Sequence, residues 1–523
     1  MSWRKSLTEK ELADIANNLF LDDDFDGEVY SSGLSDDDEL EGALSEHPEN
    51  NQENEVMSED EPDVHNDNDA EVTACDEDGT YSFNWQFDPN WEPEVFVFDE
   101  TNSGCNIDGI QGKNNALSKK KYVLSLTVFF LENSTQLDFF ELFFTRECVE
   151  YIKEECNRQF SYFRENNDDF IKKNHNPTNV TVAEMYTFFG ISLLMTRCKK
   201  LRLYEYWSTD PLLSTPIFTR IMRRDRFFFI LKILHFCDNA LPHNGDKLYK
   251  LRYIIDYLRN KFKQVFSPFE KVCIDESLVL FKGRLSFRQY IPSKRHRFGV
   301  KLFMLCDCKT GFCLDFIVYT GSSTNVDPLE KKNERIGKSG QVVTTLMNPY
   351  LNKNHTIYLD NWYNSPTLSL LLHDNKTNSC GTIKKNRKFM PKLDEKLKRG
   401  EMSFRSSGPA LVLKWCDKRD IYMITTLHDY NMSSTNKTDR QTGMQVMKPN
   451  CIIDYNQNMG SVDKTDMLIS SIESVRKCMK WYKKLFFSFS RYGHNKFSLS
   501  VQSHHKEKIV CCRLSVSSGT TNI

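Results

Sequence analysis

Charge is distributed along this 523-residue chain in a way that decides which part of it can fold. Residues 1–100 hold 32 of the 72 acidic residues and 3 of the 69 basic ones, so a net charge of -3 conceals a tail of -29 joined to a body of +26. Blocks such as Asp22-Asp23-Asp24 and Asp36-Asp37-Asp38-Glu39 repel one another, and so polar a stretch buries too little apolar surface to offset the entropy of ordering. We therefore expect a disordered acidic tail over residues 1–115. Ser35 and Ser58, each with an acidic residue three positions on, fit acidophilic kinases. One aromatic patch, Phe83, Trp85, Phe87 and Trp91, interrupts the tail and marks a docking point on a partner or on the body.

The basic body points to a polyanion such as nucleic acid as partner. Sixteen cysteines are scattered without a CxxC pair, and the first ten residues lack the apolar core of a signal peptide, which implies reduced thiols in an intracellular compartment. The longest apolar runs, Thr187 to Met195 and Phe227 to Phe236, reach about half of the ~20 residues a membrane helix needs. No membrane partner is expected.

Periodicity divides the body. Leu251, Ile254, Ile255, Leu258, Phe262 and Val265 follow the 3.6-residue spacing of a buried helical stripe, and the pattern is helical from Leu137 to about Phe266. Near Lys271 it changes to β-rich runs: Lys271 to Leu280, Val300 to Asp307 and Phe312 to Thr320. A helix over Val342 to Asn348, a strand over Thr356 to Asp360, a helix over Pro366 to Asn375 and a short strand near Cys380 follow. That order is the one expected of an RNase H-like α/β core. Leu411 to Trp415 and Ile421 to Leu427 read as hairpin strands of a β insertion, after which the chain enters a helix carrying Asp463 and Asp466.

Three aspartates stand out in this frame. Asp275 and Asp360 end apolar β-rich runs, so buried strands would present them at their C-terminal tips, and Asp463 opens a helix. Three converging carboxylates suit divalent-metal phosphodiester chemistry, because two ions roughly 3.5 to 4 Å apart can activate the attacking oxygen and stabilise the leaving one. Carboxylates favour Mg²⁺, a hard ion that prefers oxygen. Asp275 would bridge both ions, Asp360 and Asp463 would each hold one, and Asp466 is a reserve ligand. Taken singly, an aspartate in such a place is more often a cap or turn residue. The histidines form no HExxH, and Cys306, Cys308 and Cys313 read as buried thiols, so no zinc is expected. Lys282, Arg284, Arg288, Lys294, Arg295, Arg297 and Lys301, interleaved with Phe287, Tyr290 and Phe298, are candidate phosphate contacts near Asp275. Lys384, Lys385, Arg387 and Lys388 form a second DNA-binding candidate.

At these residues the chain resembles the piggyBac transposase family. The resemblance is carried by Asp275-Glu276-Ser277-Leu278 with Phe281-Lys282-Gly283-Arg284, by Gln289-Tyr290-Ile291-Pro292-Ser293-Lys294-Arg295, and by Arg297-Phe298-Gly299-Val300-Lys301-Leu302. Leu359-Asp360-Asn361, Gly381-Thr382 with Lys385-Asn386-Arg387, and the run Asp454 to Asp463 complete it. It implies a helical dimerisation and DNA-binding domain over 118–262 with a second part at 468–484, an RNase H-like domain over 263–384 and 453–467, and a β insertion over 385–452. It also implies Asp275, Asp360 and Asp463 as catalytic residues with Asp466 as a further acid, two Mg²⁺ ions replaceable by Mn²⁺, a homodimer on double-stranded DNA, and a nuclear location. Members nick element ends, form hairpins by transesterification and join the freed 3′ hydroxyls to TTAA targets. Residues 485–523, with Glu507 as the one acidic residue and Cys511-Cys512 as the only cysteines, do not resemble the family's Cys/His-rich zinc domain. A frameshifted or alternatively spliced end is the expectation there. The alternative function is a domesticated or truncated DNA-binding or chromatin-interaction protein without transposition activity.

Overall fold

A computed structural model describes residues 81–105, 136–166, 177–291, 298–326, 336–438, 443, 445–470 and 480–491. Residues 118–135 of the expected helical domain, and Lys294, Arg295 and Arg297, lie outside the described residues.

Residues 81–105 depart from the expected tail. They run along the body as a strap that ends in strand β1 (Gly104–Cys105), paired antiparallel with β2 (Phe266–Ser267). Gln86 and Ser406 exchange backbone hydrogen bonds at 2.9 and 2.8 Å, and the indole N–H groups of Trp85 and Trp91 donate to the carbonyls of Phe389 and Gly408. The aromatic patch supplies the apolar area that the acidic composition around it lacks.

Among the described residues six α-helices follow: α1 (Gln136–Phe143), α2 (Arg146–Asn166), α3 (Val182–Leu194), α4 (Pro216–Ile221), α5 (Arg224–Ile233) and α6 (Arg252–Val265). A capping box starts α3, with the Thr181 hydroxyl accepting from the Glu184 N–H and the Glu184 carboxylate accepting from the Thr181 N–H. A late helix over residues 481–491 returns to this group. The Phe486 ring lies 4.5 Å from Phe236, 5.7 Å from Phe189 and 5.8 Å from Phe144, while the Lys483 ammonium donates to the carbonyls of Leu231 and Lys232 at the end of α5. Those carbonyls have no partner within their own helix, so a buried lysine can serve them. Residues 485–491, which the sequence assigns to an atypical end, therefore belong to the core, with Leu485, Phe486, Phe487 and Phe489 buried.

The centre is a mixed sheet of nine strands: β3 (Lys271–Leu280), β4 (Gln289–Tyr290), β5 (Phe298–Asp307), β6 (Cys313–Val318), β7 (Thr356–Leu359), β8 (Asn378–Thr382), β9 (Met402–Ser407), β10 (Ala410–Cys416) and β11 (Asp420–Thr425). Their order is β4-β5-β3-β7-β8-β11-β10-β9, with β6 also paired to β5. β3 is antiparallel to β5 and parallel to β7, and β7 is parallel to β8. All four residues of β7 are buried, as expected of a central parallel strand covered on both faces. Helix α7 (Gly337–Met347) precedes β7, and α8 (Pro366–Asp374), capped by the Ser365 hydroxyl, links β7 to β8. From the helical part, Arg259 and Lys263 of α6 grip the fully buried Asp315 of β6 at 2.6 and 2.8 Å.

Strands β9 to β11 modify the expected insertion. β11 pairs antiparallel with β8, Ile424 opposite Gly381, so these strands extend the central sheet. Leu411, Leu413 and Trp415 join the main core, while Val412 and Ile424 meet Ile383 and Leu393 in a small second cluster capped by Trp85. Apart from this sheet stands the hairpin of β12 (Met432–Thr438) and β13 (Gln445–Pro449), followed by α9 (Asn450–Asn458) and α10 (Ser461–Ser470). Among the described residues no helix is long and apolar enough to cross a membrane.

Candidate active site

The site lies where two parallel strands stop pairing. The last rung between β3 and β7 joins Ile274 to Leu359, so Asp275 and Asp360 occupy the next position on each chain. Asp360 follows the end of its strand as expected, whereas Asp275 lies in the middle of β3, which continues to Leu280 through its pairing with β5. Beyond that rung the β7 side of β3 is open, and polar side chains can lean over the same edge. Oxygens of Asp275, Asp360 and Glu276 all lie within 4.8 Å of one another. Strand alternation alone would send the neighbours Asp275 and Glu276 to opposite faces, which is why Glu276 is missing from the residues the sequence singles out. The Asp-Glu pair at the end of an apolar run was the available signal.

Electrostatics follow from this crowding. Burial pushes the Asp360 carboxyl up to about 6, and the Glu276 charge adds to the rise, while the Trp362 and Tyr363 N–H groups and Lys301 oppose it. Burial first, then the charges of Glu276, Asp360 and Asp275, push the hydroxyl of the fully buried Tyr363 far above its usual value. Like charges gathered this closely disfavour full ionisation unless a cation joins them. The donors are all carboxylate oxygens, which fits a hard divalent ion such as Mg²⁺ or Mn²⁺.

The loop after β7 is braced from several sides. The Trp362 N–H donates to the Asp360 carboxylate at 2.9 Å, an Asx turn. The Asn364 amide donates to the carbonyls of Leu359 and Thr382 at 3.3 and 2.9 Å, tying the ends of β7 and β8. Gly381 permits this approach, since a Cβ there would stand 1.9 Å from the Leu359 carbonyl oxygen. Deeper in the sheet, Asp454 of α9 accepts from Lys271 at 2.7 Å, from His428 at 3.1 Å, and from the Tyr358 hydroxyl. Although burial works against the charge, hydrogen bonds from His428, Lys271 and Tyr358 hold this carboxyl far below its usual range.

The remaining expected residues divide. Asp463 and Asp466 ride on α10, which packs against β3; Asp463 is exposed, and Asp466 accepts from the Ser277 hydroxyl at 2.6 Å. Neither belongs to the group of three oxygens described above. Lys282, Arg284 and Arg288 are exposed, with Arg288 donating to the carbonyls of Lys282 and Gly283. Lys301 instead pairs with Glu276 at 3.0 Å, its ammonium about 5 Å from the rings of both Phe303 and Trp362 (4.9 and 5.1 Å). Lys385 and Lys388 are exposed, Lys384 is half-buried, and Arg387 donates to the carbonyls of Asn361 and Trp362.

The family model described as Transposase IS4 matches residues 135–492, which span the helical part, the sheet and the carboxylate cluster. The chain belongs to the piggyBac-type transposase family. Its human relatives include PiggyBac transposable element-derived protein 3, 27% identical over 334 residues that cover 61% of this chain and 55% of that one. PiggyBac transposable element-derived protein 2, also human, is 24% identical over 360 residues, covering 66% and 57%. The chain thus spans little more than half the length of these curated relatives. A piggyBac transposase solved by cryo-EM in a synaptic complex with hairpin DNA is similar in structure, with a TM-score of 0.58 and 25% identity over 70% of this chain and 75% of that one. Membership in this family implies dependence on a divalent metal, and the carboxylate cluster is the candidate place for it.

Proposed function

We propose that this chain is a metal-dependent DNA transposase, or a derivative that keeps the fold, in which an RNase H-like core presents Asp275 and Asp360 from its sheet and Asp463 from α10 to the phosphodiester backbone. The observation that carries this reading is the meeting of Asp275, Glu276 and Asp360 at the open edge beyond the last β3–β7 rung. When bound, Mg²⁺ or Mn²⁺ would activate the attacking oxygen and stabilise the leaving one. Asp275 and Asp360 would hold the ion, and Glu276, restrained by Lys301, would add charge at its border. Asp463 and Asp466 would complete the set from α10. The exposed Lys282, Arg284, Arg288, Lys385 and Lys388 would neutralise phosphates, with Lys384 beside them; Lys294, Arg295 and Arg297 extend that proposal along the chain.

In this reading the substrate is double-stranded DNA, cut at element ends and joined at TTAA sites by a homodimer in the nucleus. The deciding experiment incubates the purified chain with Mg²⁺ and DNA bearing the flanking terminal repeats, beside Asp275→Ala. Cleavage by the parent and none by the variant supports the enzyme. Equal binding without cleavage by either supports a DNA-binding or chromatin-interaction protein instead.

A further inference from the structure

We propose that Arg387 is a positioning residue for the Asp360 loop, held in place by the aromatic strap, and that it is no phosphate contact. Its guanidinium donates through Nη2 to the carbonyl of Asn361 at 3.1 Å and to that of Trp362 at 2.6 Å, the first two carbonyls after Asp360. Within the same basic run Lys385 and Lys388 are exposed, whereas Arg387 is half-buried. A planar guanidinium can serve two carbonyls with its shape already set, which the flexible ammonium of lysine cannot match. The same peptide segment supplies the Trp362 N–H that binds the Asp360 carboxylate, so holding its carbonyls restrains the acid.

The strap acts on the other side of Arg387. Its turn closes with the Arg387 N–H on the Lys384 carbonyl and the Met390 N–H on the Arg387 carbonyl, and it brings Phe389 to a φ of +68°. That region is uncommon for a bulky residue and persists where the surroundings enforce it. The Trp85 indole donates to the Phe389 carbonyl at 2.7 Å, and the Phe83 ring stacks 5.4 Å from that of Phe389 and 5.6 Å from Trp85. The strap itself is fixed by the Gln86–Ser406 bridge and by the Asn84 N–H on the Ser407 hydroxyl. A continuous line of contacts runs from Trp85 through Phe389 and Arg387 to the segment that binds Asp360. The segment that leads into the acidic tail is thereby part of the catalytic scaffold.

The geometry stands alone, while its catalytic consequence rests on the metal-site reading above, and the test separates the two. Arg387→Ala, Arg387→Lys, Trp85→Phe and Lys385→Ala are compared in the full chain. Three quantities are measured: metal-free hydrogen exchange of the peptide spanning residues 359–364, Mn²⁺ affinity by calorimetry, and the salt dependence of duplex-DNA affinity without metal. Both Arg387 variants should speed exchange roughly tenfold and weaken Mn²⁺ binding roughly tenfold, with the DNA salt slope unchanged. Trp85→Phe should move exchange in the same direction by less. Lys385→Ala should leave exchange alone and lower the salt slope by about one. A salt slope lowered by Arg387→Ala and restored by Arg387→Lys, with exchange unchanged, would overturn the proposal. If Arg387→Ala does not fold, Arg387→Lys and Trp85→Phe decide it. Should the parent bind no Mn²⁺ that Asp275→Asn removes, the metal reading fails and exchange still judges the positioning role.

Discussion

The Ser277 hydroxyl donates to the Asp466 carboxylate at 2.6 Å, joining β3 to α10 two residues beyond Asp275 on the same strand. Ser277 is 2% exposed, so the bond is made away from bulk water, and a hydrogen bond to a charged group there contributes about 1.5–3 kcal/mol. Ser277→Ala should lower the free energy of unfolding by about 2 kcal/mol. Chemical denaturation of the metal-free chain measures it, with Ser277→Thr, which keeps the hydroxyl, expected to recover part of the loss.

Acid should act on a half-buried carboxyl and a buried imidazole in opposite directions. The folded chain holds a proton on Asp360 up to about pH 6, whereas an ordinary aspartate releases it at 3.8, so this group favours folding in acid and loses that contribution as pH rises through the interval. His355, buried against Phe98 and Tyr350, is lowered from 6.5 to about 4, chiefly by burial, so its contribution is present above 6.5 and lost as pH falls toward 4. Each shift corresponds to about 3 kcal/mol. In chelator, Asp360→Asn should exceed the parent in stability at pH 7, the difference closing by pH 4. For His355→Gln the parent's advantage at pH 7 should shrink over the same range. Denaturation curves taken in pairs cancel other titrating groups, and a pH-independent difference for either variant would refute its assignment.

Much of this was legible in the residues, for a reason visible in particular elements. Val272-Cys273-Ile274 and Thr356–Leu359 are short β-rich runs each followed at once by an aspartate, so composition alone locates the strands and the two acids, although β3 runs on through Asp275 to Leu280. What stayed hidden depends on partners distant in sequence. Nothing in Ile421 to Leu427 announces that β11 will pair with β8 and enlarge the sheet. Arg387 sits in a run of positive charge and reads as a phosphate contact, but its acceptors are backbone carbonyls, which every sequence has and none displays. The aromatic residues of the strap were visible, but the acidic residues around them set the average and concealed an ordered segment.

Gly381 offers a steric test of the junction between β7 and β8. A Cβ at that position would lie 1.9 Å from the Leu359 carbonyl oxygen and 2.3 Å from Nδ2 of Asn364, and two strand ends must part to admit it. Gly381→Ala should destabilise the chain by about 3 kcal/mol, the upper part of the range for overpacking. It should also release the Asn364 amide from Leu359 and Thr382. Faster hydrogen exchange at residues 359–364 together with a lowered melting temperature is the expected result. Unchanged exchange would mean that the Asp360 loop does not depend on this contact.

Separate membership of the carboxylate cluster can be read in the chain without DNA. Oxygens of Asp275, Glu276 and Asp360 meet within 4.8 Å, whereas Asp463 is exposed on α10 and outside that group. Calorimetry with Mn²⁺ should therefore show binding abolished by Asp275→Asn or Asp360→Asn and weakened roughly tenfold by Glu276→Gln, as for groups that orient ligands. Asp463→Asn should change it by no more than about threefold, because an exposed charge near a site acts through water. The same Asp463→Asn chain should nonetheless fail to cleave DNA, since the proposed role of that residue lies in the complex with substrate. If Asp463→Asn abolishes Mn²⁺ binding in the free chain, Asp463 is a ligand before DNA binds and the division of the carboxylates is refuted.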